Sequence, residues 1–237
     1  MLDGNAGVII PQDPNKKDSV YILRSNNKQT GAEFTWSIWL YLTDVPTDTN
    51  YHHIFNKGDT KFDKYNIAIN NSPGLYYGGN YNGVQDELYD NTKSSSVISN
   101  PKENNNIITV FMDTIDSTQS VVIPINNIPL QKWVNVIIRM ENTILDVYVN
   151  GTITARHVLQ SVPRQNYYDI NVGQSQGFPG KLSDLRYFSY ALNVFEIQTL
   201  LNRGPSSKAS KFNVDAIANN GFFGYLSTGW YTKRLYQ

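Results

Sequence analysis

Residues 33–42 read EFTWSIWLYL, and their alternation leaves this chain few folds to adopt. Phe34, Trp36, Ile38, Leu40 and Leu42 fall on one side, and Glu33, Thr35, Ser37, Trp39 and Tyr41 on the other. A period of two belongs to an extended strand with one face on a core, because a helix would scatter the same residues around its axis. The second face carries two large rings, so it should be covered or used. A further alternating set, Val134, Val136, Ile138 and Met140, is followed closely by Leu145, Val147 and Val149. Asn150-Gly151 then sits between β-branched runs. Both residues tolerate the positive φ of a type I′ turn, which predicts an antiparallel hairpin there.

Shorter strands are predicted at Ser19 to Leu23, His53 to Asn56, Asn66 to Ile69, Ile107 to Met112, Val121 to Ile125, Tyr168 to Val172 and Leu182 to Phe188, separated by Asn, Gly, Pro and Asp clusters. That spacing describes an all-β, two-sheet antiparallel sandwich. The polar stretch from Gly78 to Asn106 reads as exposed loop. One short helix is expected: Asn193 caps, Glu196 completes a capping box, Val194, Ile197 and Leu201 share a face, and Gly204-Pro205 stops it. The sandwich is expected to occupy residues 1–205, and residues 206–237 an aromatic tail that packs on the domain or docks a partner.

Composition excludes several function classes. The 20 basic and 20 acidic residues cancel, so no electrostatic footprint attracts a phosphate backbone, and nucleic acid is not expected as a partner. The chain has no cysteine, which removes disulfides, thiol nucleophiles and thiolate zinc sites. No apolar run reaches the roughly 18 residues of a membrane-spanning helix. The start, Met1 to Ile10, lacks the charged-then-apolar order of a signal peptide.

Several segments carry a family resemblance: EFTWSIWLYL, HHIFNKGD from His52, SPGLYY from Ser72, IPLQKWVNVIIRMENTILDVYVNG from Ile128, and HVLQSVPRQNYYDINVG from His157. The most specific is GFPGKLSDLRYFSYALNVFEIQTLLNRGP, from Gly177 to Pro205. Together they resemble the concanavalin A-like and laminin G-like jelly rolls, of the type encoded by large DNA viruses of algae and amoebae. The resemblance implies two antiparallel sheets in jelly-roll order with a face open to ligands. It also implies a virion location, with capsid or other virion proteins as partners and host-surface glycans as the alternative. Because relatives on this fold include lectins, adhesion modules, glycosidases and coat-associated proteins, function has to be argued from the site.

Glycoside hydrolysis needs two carboxylates flanking the scissile bond. Hydrolases of the resembled superfamily place both on one strand, as Glu-x-Asp-x-x-Glu or one residue longer. The glutamates here are Glu33, Glu87, Glu103, Glu141 and Glu196, no two of them within ten residues. Asp113 and Asp116 are three apart, which on a strand sends them to opposite faces. The chain is therefore expected not to be an enzyme, a glycosidase-like activity being the distant alternative. His52 and His53 are adjacent and point apart, with one of them half-buried beside Ile54.

Two further readings compete. A virion-associated structural or surface domain would dock partners through Trp39, Tyr41, Phe222, Phe223, Tyr225 and Trp230, the aromatic anchors. A glycan-binding attachment module would use the Gly-rich segment SPGLYYGGNYNG, with Tyr76, Tyr77, Asn80, Tyr81 and Asn82 as stacking rings and hydroxyl partners. No cofactor is required on either reading. A structural calcium ion is the one candidate metal: the resemblance implies an Asp in the last core strand as its ligand, and Asp184 stands there, with Lys57 to Asp59 as further oxygen donors. The alternative for Asp184 is an ion pair with Arg186.

Overall fold

The computed structural model describes residues 1–23, 25–28, 31–79, 106–116 and 120–208, the backbone alone for residues 26–28. The strands are β1 (Leu2–Asp3), β2 (Val8–Ile10), β3 (Asn26–Lys28), β4 (Gly31–Leu42), β5 (Tyr51–Lys57), β6 (Gly74–Gly78) and β7 (Ile108–Met112). They continue as β8 (Val121–Ile125), β9 (Trp133–Asn142), β10 (Ile144–Val149), β11 (Thr152–Val158), β12 (Ile170–Val172) and β13 (Gly180–Phe188). One helix among the described residues, α1 (Val194–Arg203), follows. The first sheet runs β1-β13-β4-β9-β10-β11, with β3 also paired to β4, and the second runs β2-β12-β5-β6-β7-β8. Every pairing is antiparallel.

The alternating sets meet between the two sheets. Phe34, Trp36, Ile38, Leu40 and Leu42 from β4 join Val134, Val136, Ile138 and Met140 from β9 and Leu145 and Val147 from β10. The second sheet answers with Leu75 and Tyr77 from β6, Ile108, Val110 and Met112 from β7, and Ile123 and Ile125 from β8. In β5 a bulge between His53 and Phe55 turns two successive residues, Ile54 and Phe55, into this core. Each large side chain so buried contributes about 1.5 to 3 kcal/mol. The hairpin at Asn150-Gly151 forms as expected, with φ of 49° and 80°, the pair of positive values a type I′ turn requires.

Both outer faces are partly covered as well. On the first sheet, α1 sets Ile197 and Leu200 against Ile137 and Tyr148, with Leu192 beside them. The chain leading to the helix hydrogen-bonds outward polar residues: Leu192 N–H donates to Thr35 Oγ1 at 3.0 Å, and Arg139 Nε donates to the Leu192 carbonyl at 2.7 Å. The capping box of Asn193 and Glu196 is present in both directions. The buried stripe differs from the expected one, because Val194 is 72% exposed and Ile197 and Leu200 face the sheet. On the second sheet, the excursion between β5 and β6 lays Ile67, Phe62 and Tyr65 over Tyr51, Tyr76, Phe111 and Val122.

Two predicted strands do not form. Ser19 to Leu23 is an irregular segment whose Tyr21 and Leu23 are exposed, so its apolar residues mark a surface rather than a core strand. Asn66 to Ile69 belongs to the covering excursion, with a single bridge from Ala68 to Phe62. Conversely, β1 and β2, not expected from the sequence, pair with one strand in each sheet and tie residues 2–10 across the sandwich.

Candidate functional site

Placing the sequence-predicted residues corrects most of the glycan expectation. Tyr76 and Tyr77 are both fully buried, so neither ring stacks on a sugar. SPGLYYG, the start of the Gly-rich segment expected to meet a sugar, contains β6, a central strand of the second sheet, and alternation sends Tyr77 to the core and Tyr76 to the covered outer face. Tyr76 packs edge-on against Tyr51, Phe111 and His53. Its hydroxyl donates to Asn71 Oδ1 at 2.6 Å and accepts the Ala68 N–H at 3.0 Å, and burial pushes its pKa far up. Burial likewise pushes the Tyr77 phenol up to about 12, with its hydroxyl 3.0 Å from Asn106 Oδ1 and 3.1 Å from the Asp44 carbonyl. Asn80, Tyr81 and Asn82 lie outside the described residues, as do Phe222, Phe223, Tyr225 and Trp230.

The second face of β4 is covered, one of the two outcomes its rings allowed, so the expectation of exposed anchors is corrected. Trp39 is only 9% exposed, and Tyr41 is half-buried with its ring 5.5 Å from Trp133. Opposite Trp39 on β13, Ser183 donates its hydroxyl to the Ser206 carbonyl at 2.8 Å, so the segment after the helix crosses this face. Asp184 stands in a bulge of β13 with φ of 56°, and its carboxylate pairs with Arg186 at 2.8 Å. The proposed companions Lys57 to Asp59 belong to or adjoin β5 in the other sheet. Among the described residues no three His, Cys, Asp or Glu side chains cluster as metal ligands would.

The structure also juxtaposes acids that spacing could not reveal. Glu33 on β4 and Glu141 on β9 are direct cross-strand partners on the outer face. Glu141 is held by Arg139 at 2.6 Å, and the fully buried Asp146 accepts from Arg156 at 2.6 and 2.9 Å, with Arg139 3.4 Å away. Glu141 and Asp146 are thus bound by Arg139 and Arg156 in one network. Asp113, whose pKa burial raises, is held by the Asn71 N–H at 2.8 Å and by the Ser120 hydroxyl.

What the fold does assemble is a cleft of about 730 Å³ at one end of the sandwich, and none of the acids just described lines it. Its floor is the core face of β4 and β13, namely Phe34, Trp36 and the half-buried Tyr187, whose ring lies 4.9 Å from that of Trp36. One wall is residues 12–23 with Ser25, including the Ser19 to Leu23 run that forms no strand, and the other is the 165–169 segment leading into β12. Tyr21, Tyr167 and Tyr168 stand exposed at the mouth, Tyr167 at 98%. Hydrogen bonds fasten the walls: Gln12 N–H donates to Asp169 Oδ1 at 2.9 Å, and the Gln12 side chain bridges Ile22 N–H and the Val20 carbonyl.

Lys57, at the end of β5, organises the second wall from inside. Its ammonium donates to the Asn166 carbonyl at 3.1 Å, to Asn166 Oδ1 at 3.3 Å and to the Tyr168 carbonyl. Asn166 returns a bond from Nδ2 to the Lys57 carbonyl at 3.0 Å. Burial lowers the Lys57 pKa to about 8, against the opposing pull of Asp169. Sequence reading missed this cleft because its walls are irregular segments some 150 residues apart. The available signal is the Tyr-rich RQNYYD run, of which Tyr168 and Asp169 fall in the predicted strand and the whole in a segment of the family resemblance.

Comparison with known proteins agrees with this architecture. The model of a laminin G family, described as the concanavalin A-like lectin/glucanases superfamily, matches residues 94–198. No curated protein matches the sequence. Among solved structures, the receptor binding domain of botulinum neurotoxin C/D mosaic serotype is 14% identical with a TM-score of 0.50, covering 73% of this chain and 37% of that one. The botulinum neurotoxin serotype G binding domain is 13% identical with a TM-score of 0.50, covering 76% and 42%. The chain thus spans about two fifths of the toxin structures it matches. At such identities the likeness is one of fold. The described chain therefore has the concanavalin A-like, laminin G-like jelly-roll fold.

Proposed function

We propose that this chain is a carbohydrate-binding module that holds its ligand without cleaving it, in the cleft at the end of the sandwich. The observation that carries the reading is the exposure of Tyr21, Tyr167 and Tyr168 around an apolar floor, in a volume of about 730 Å³. Exposed rings offer flat apolar faces to the C–H faces of a pyranose, and their hydroxyls offer polar tips, in a pocket of ordinary ligand size. The cleft carboxylates serve the walls: Asp169 receives the Gln12 N–H, and Asp13 Oδ1 receives the backbone and side-chain N–H groups of Asn15. Neither is left as a free acid and base pair across a bond. The Asp184–Arg186 pair supports binding without calcium.

A glycan array tests this directly. The protein is expected to retain a subset of glycans, Tyr167→Ala to lose that retention while staying folded, and EDTA to leave it unchanged. Retention of no glycan refutes the reading, and release of reducing ends from a bound polysaccharide refutes its non-hydrolytic part. The quoted segments also suit a place on a virus particle, where such a module would serve attachment or sit among capsid proteins. Mass spectrometry of purified particles decides that role, and absence of the protein ends it.

A further inference from the structure

We infer that Lys57 is the positioning residue of this cleft: its buried ammonium holds residues 166–168 in the shape that presents Tyr167 and Tyr168, so glycan affinity depends on a side chain that the glycan does not touch. This rests on the reading of the cleft as a carbohydrate site and names the group that prepares it.

The wall is tethered at both ends and hung on Lys57 between them. At its start the Arg164 N–H donates to the Asp113 carbonyl at 2.8 Å, and Gln165 Nε2 donates to Ser25 Oγ. At its end Ile170, the first residue of β12, is the cross-strand partner of Lys57 on β5. Residues 166–168 belong to no strand. There the Asn166 carbonyl, Asn166 Oδ1 and the Tyr168 carbonyl all accept from the Lys57 ammonium, which has three N–H donors to give. Asn166 Oδ1 also accepts the Tyr168 N–H at 3.2 Å, and Asn166 Nδ2 donates to the Lys57 carbonyl at 3.0 Å.

With the carbonyls of residues 166 and 168 turned inward onto one ammonium, the residue between them is turned out, which accounts for Tyr167 being 98% exposed. Lys57 itself is 8% exposed, and a charge so buried is costly unless oxygens surround it. The dependence is therefore mutual: the three oxygens keep the ammonium buried, and the ammonium fixes the three oxygens. A methionine would fill much of the same space without supplying any of these donors. The segment between the tethers would then sample other shapes, and its rings would be ordered only on binding, at a cost in affinity.

The test takes the glycan most strongly retained on the array and titrates it calorimetrically against the full chain. Lys57→Met should weaken binding by about tenfold with Tyr167 and Tyr168 still in place. Lys57→Arg, which keeps the charge and N–H donors, should recover most of that loss. In the glycan-free protein, hydrogen exchange at the Tyr168 amide should be about tenfold faster in Lys57→Met, while β4 and β9 keep their native protection. Asn166→Ala, which removes Oδ1 and Nδ2 together, should reproduce both effects, and it decides the matter if Lys57→Met does not fold. Affinity in Lys57→Met within about twofold of native overturns this inference and leaves the carbohydrate reading standing. Lost affinity with unchanged Tyr168 exchange does the same, since Lys57 would then act on the glycan directly. Retention of no glycan by the native chain overturns the carbohydrate reading and this inference with it.

Discussion

His53 should make this protein acid-sensitive between about pH 6.5 and about 4. The imidazole is completely buried, edge-on to Phe62 at 5.2 Å and Tyr76 at 5.4 Å. The Gln174 N–H donates to Nδ1 at 3.0 Å, so Nδ1 is an acceptor and the proton sits on Nε2, which donates to Asn56 Oδ1 at 2.9 Å. Protonating Nδ1 would set donor against donor inside an apolar cluster. Burial accordingly lowers the pKa from 6.5 to about 4, the bond to Asn56 opposing the shift. Between those values the unfolded chain holds a proton that the native state lacks, so native stability rises with pH across the window. The contribution is complete above 6.5 and is lost as pH falls towards 4. The full loss is about 3 kcal/mol, a large part of the roughly 5 to 15 kcal/mol that holds a domain together. Urea unfolding followed by tryptophan fluorescence at about pH 7 and about pH 4.5 measures it, for the native sequence and for His53→Gln. The substituted amide can accept from Gln174 and donate to Asn56 without taking a proton, and carboxylates titrating in the same range cancel between the two proteins. The native sequence should lose about 2 kcal/mol more than the variant on acidification. Equal losses would refute the burial argument.

Other expectations follow from the same kind of accounting. Tyr76→Phe leaves Asn71 Oδ1 without its donor and the Ala68 N–H without its acceptor, and should cost about 2 kcal/mol in urea unfolding. Asp146→Ala removes the fully buried carboxylate that Arg139 and Arg156 share and leaves an empty buried position, so the melting temperature should fall. Asn193→Ala removes half of the capping box and should cost about 1 kcal/mol, with hydrogen exchange accelerated in α1 before the sheets. Gly177→Ala should destabilise strongly: φ is 62°, and a Cβ there would collide with the Gly4 carbonyl.

The parts of the fold that were legible in the sequence are those governed by neighbours along the chain. Alternation in β4, β9 and β10 marked the core face residue by residue, Asn150-Gly151 announced its turn, and Asn193 with Glu196 announced the start of α1. Misreadings came where an apolar residue had more than one place to be buried or exposed. Tyr76 and Tyr77 looked like a sugar platform because two adjacent tyrosines in a Gly-rich run carry no mark of which faces are covered. Trp39 looked like an exposed anchor for the same reason. Ser19 to Leu23 has strand-like residues, but it lines a cleft mouth instead of a core, and Val194 lost its place on the helix stripe to Leu200.

Local order thus determined the extended segments, their inward faces and two of their boundaries, since periodicity and turn chemistry act over a few residues. Pairing partners were set at long range: β4 lies between β13 and β9, some 150 and 100 residues away. Only that packing brought residues 12–23 against residues 165–169 to form the cleft, and only the excursion between β5 and β6 decided that the outer face of β6 is buried. Burial of a second sheet face depends on which distant segment settles on it, and no periodicity within the strand encodes that choice.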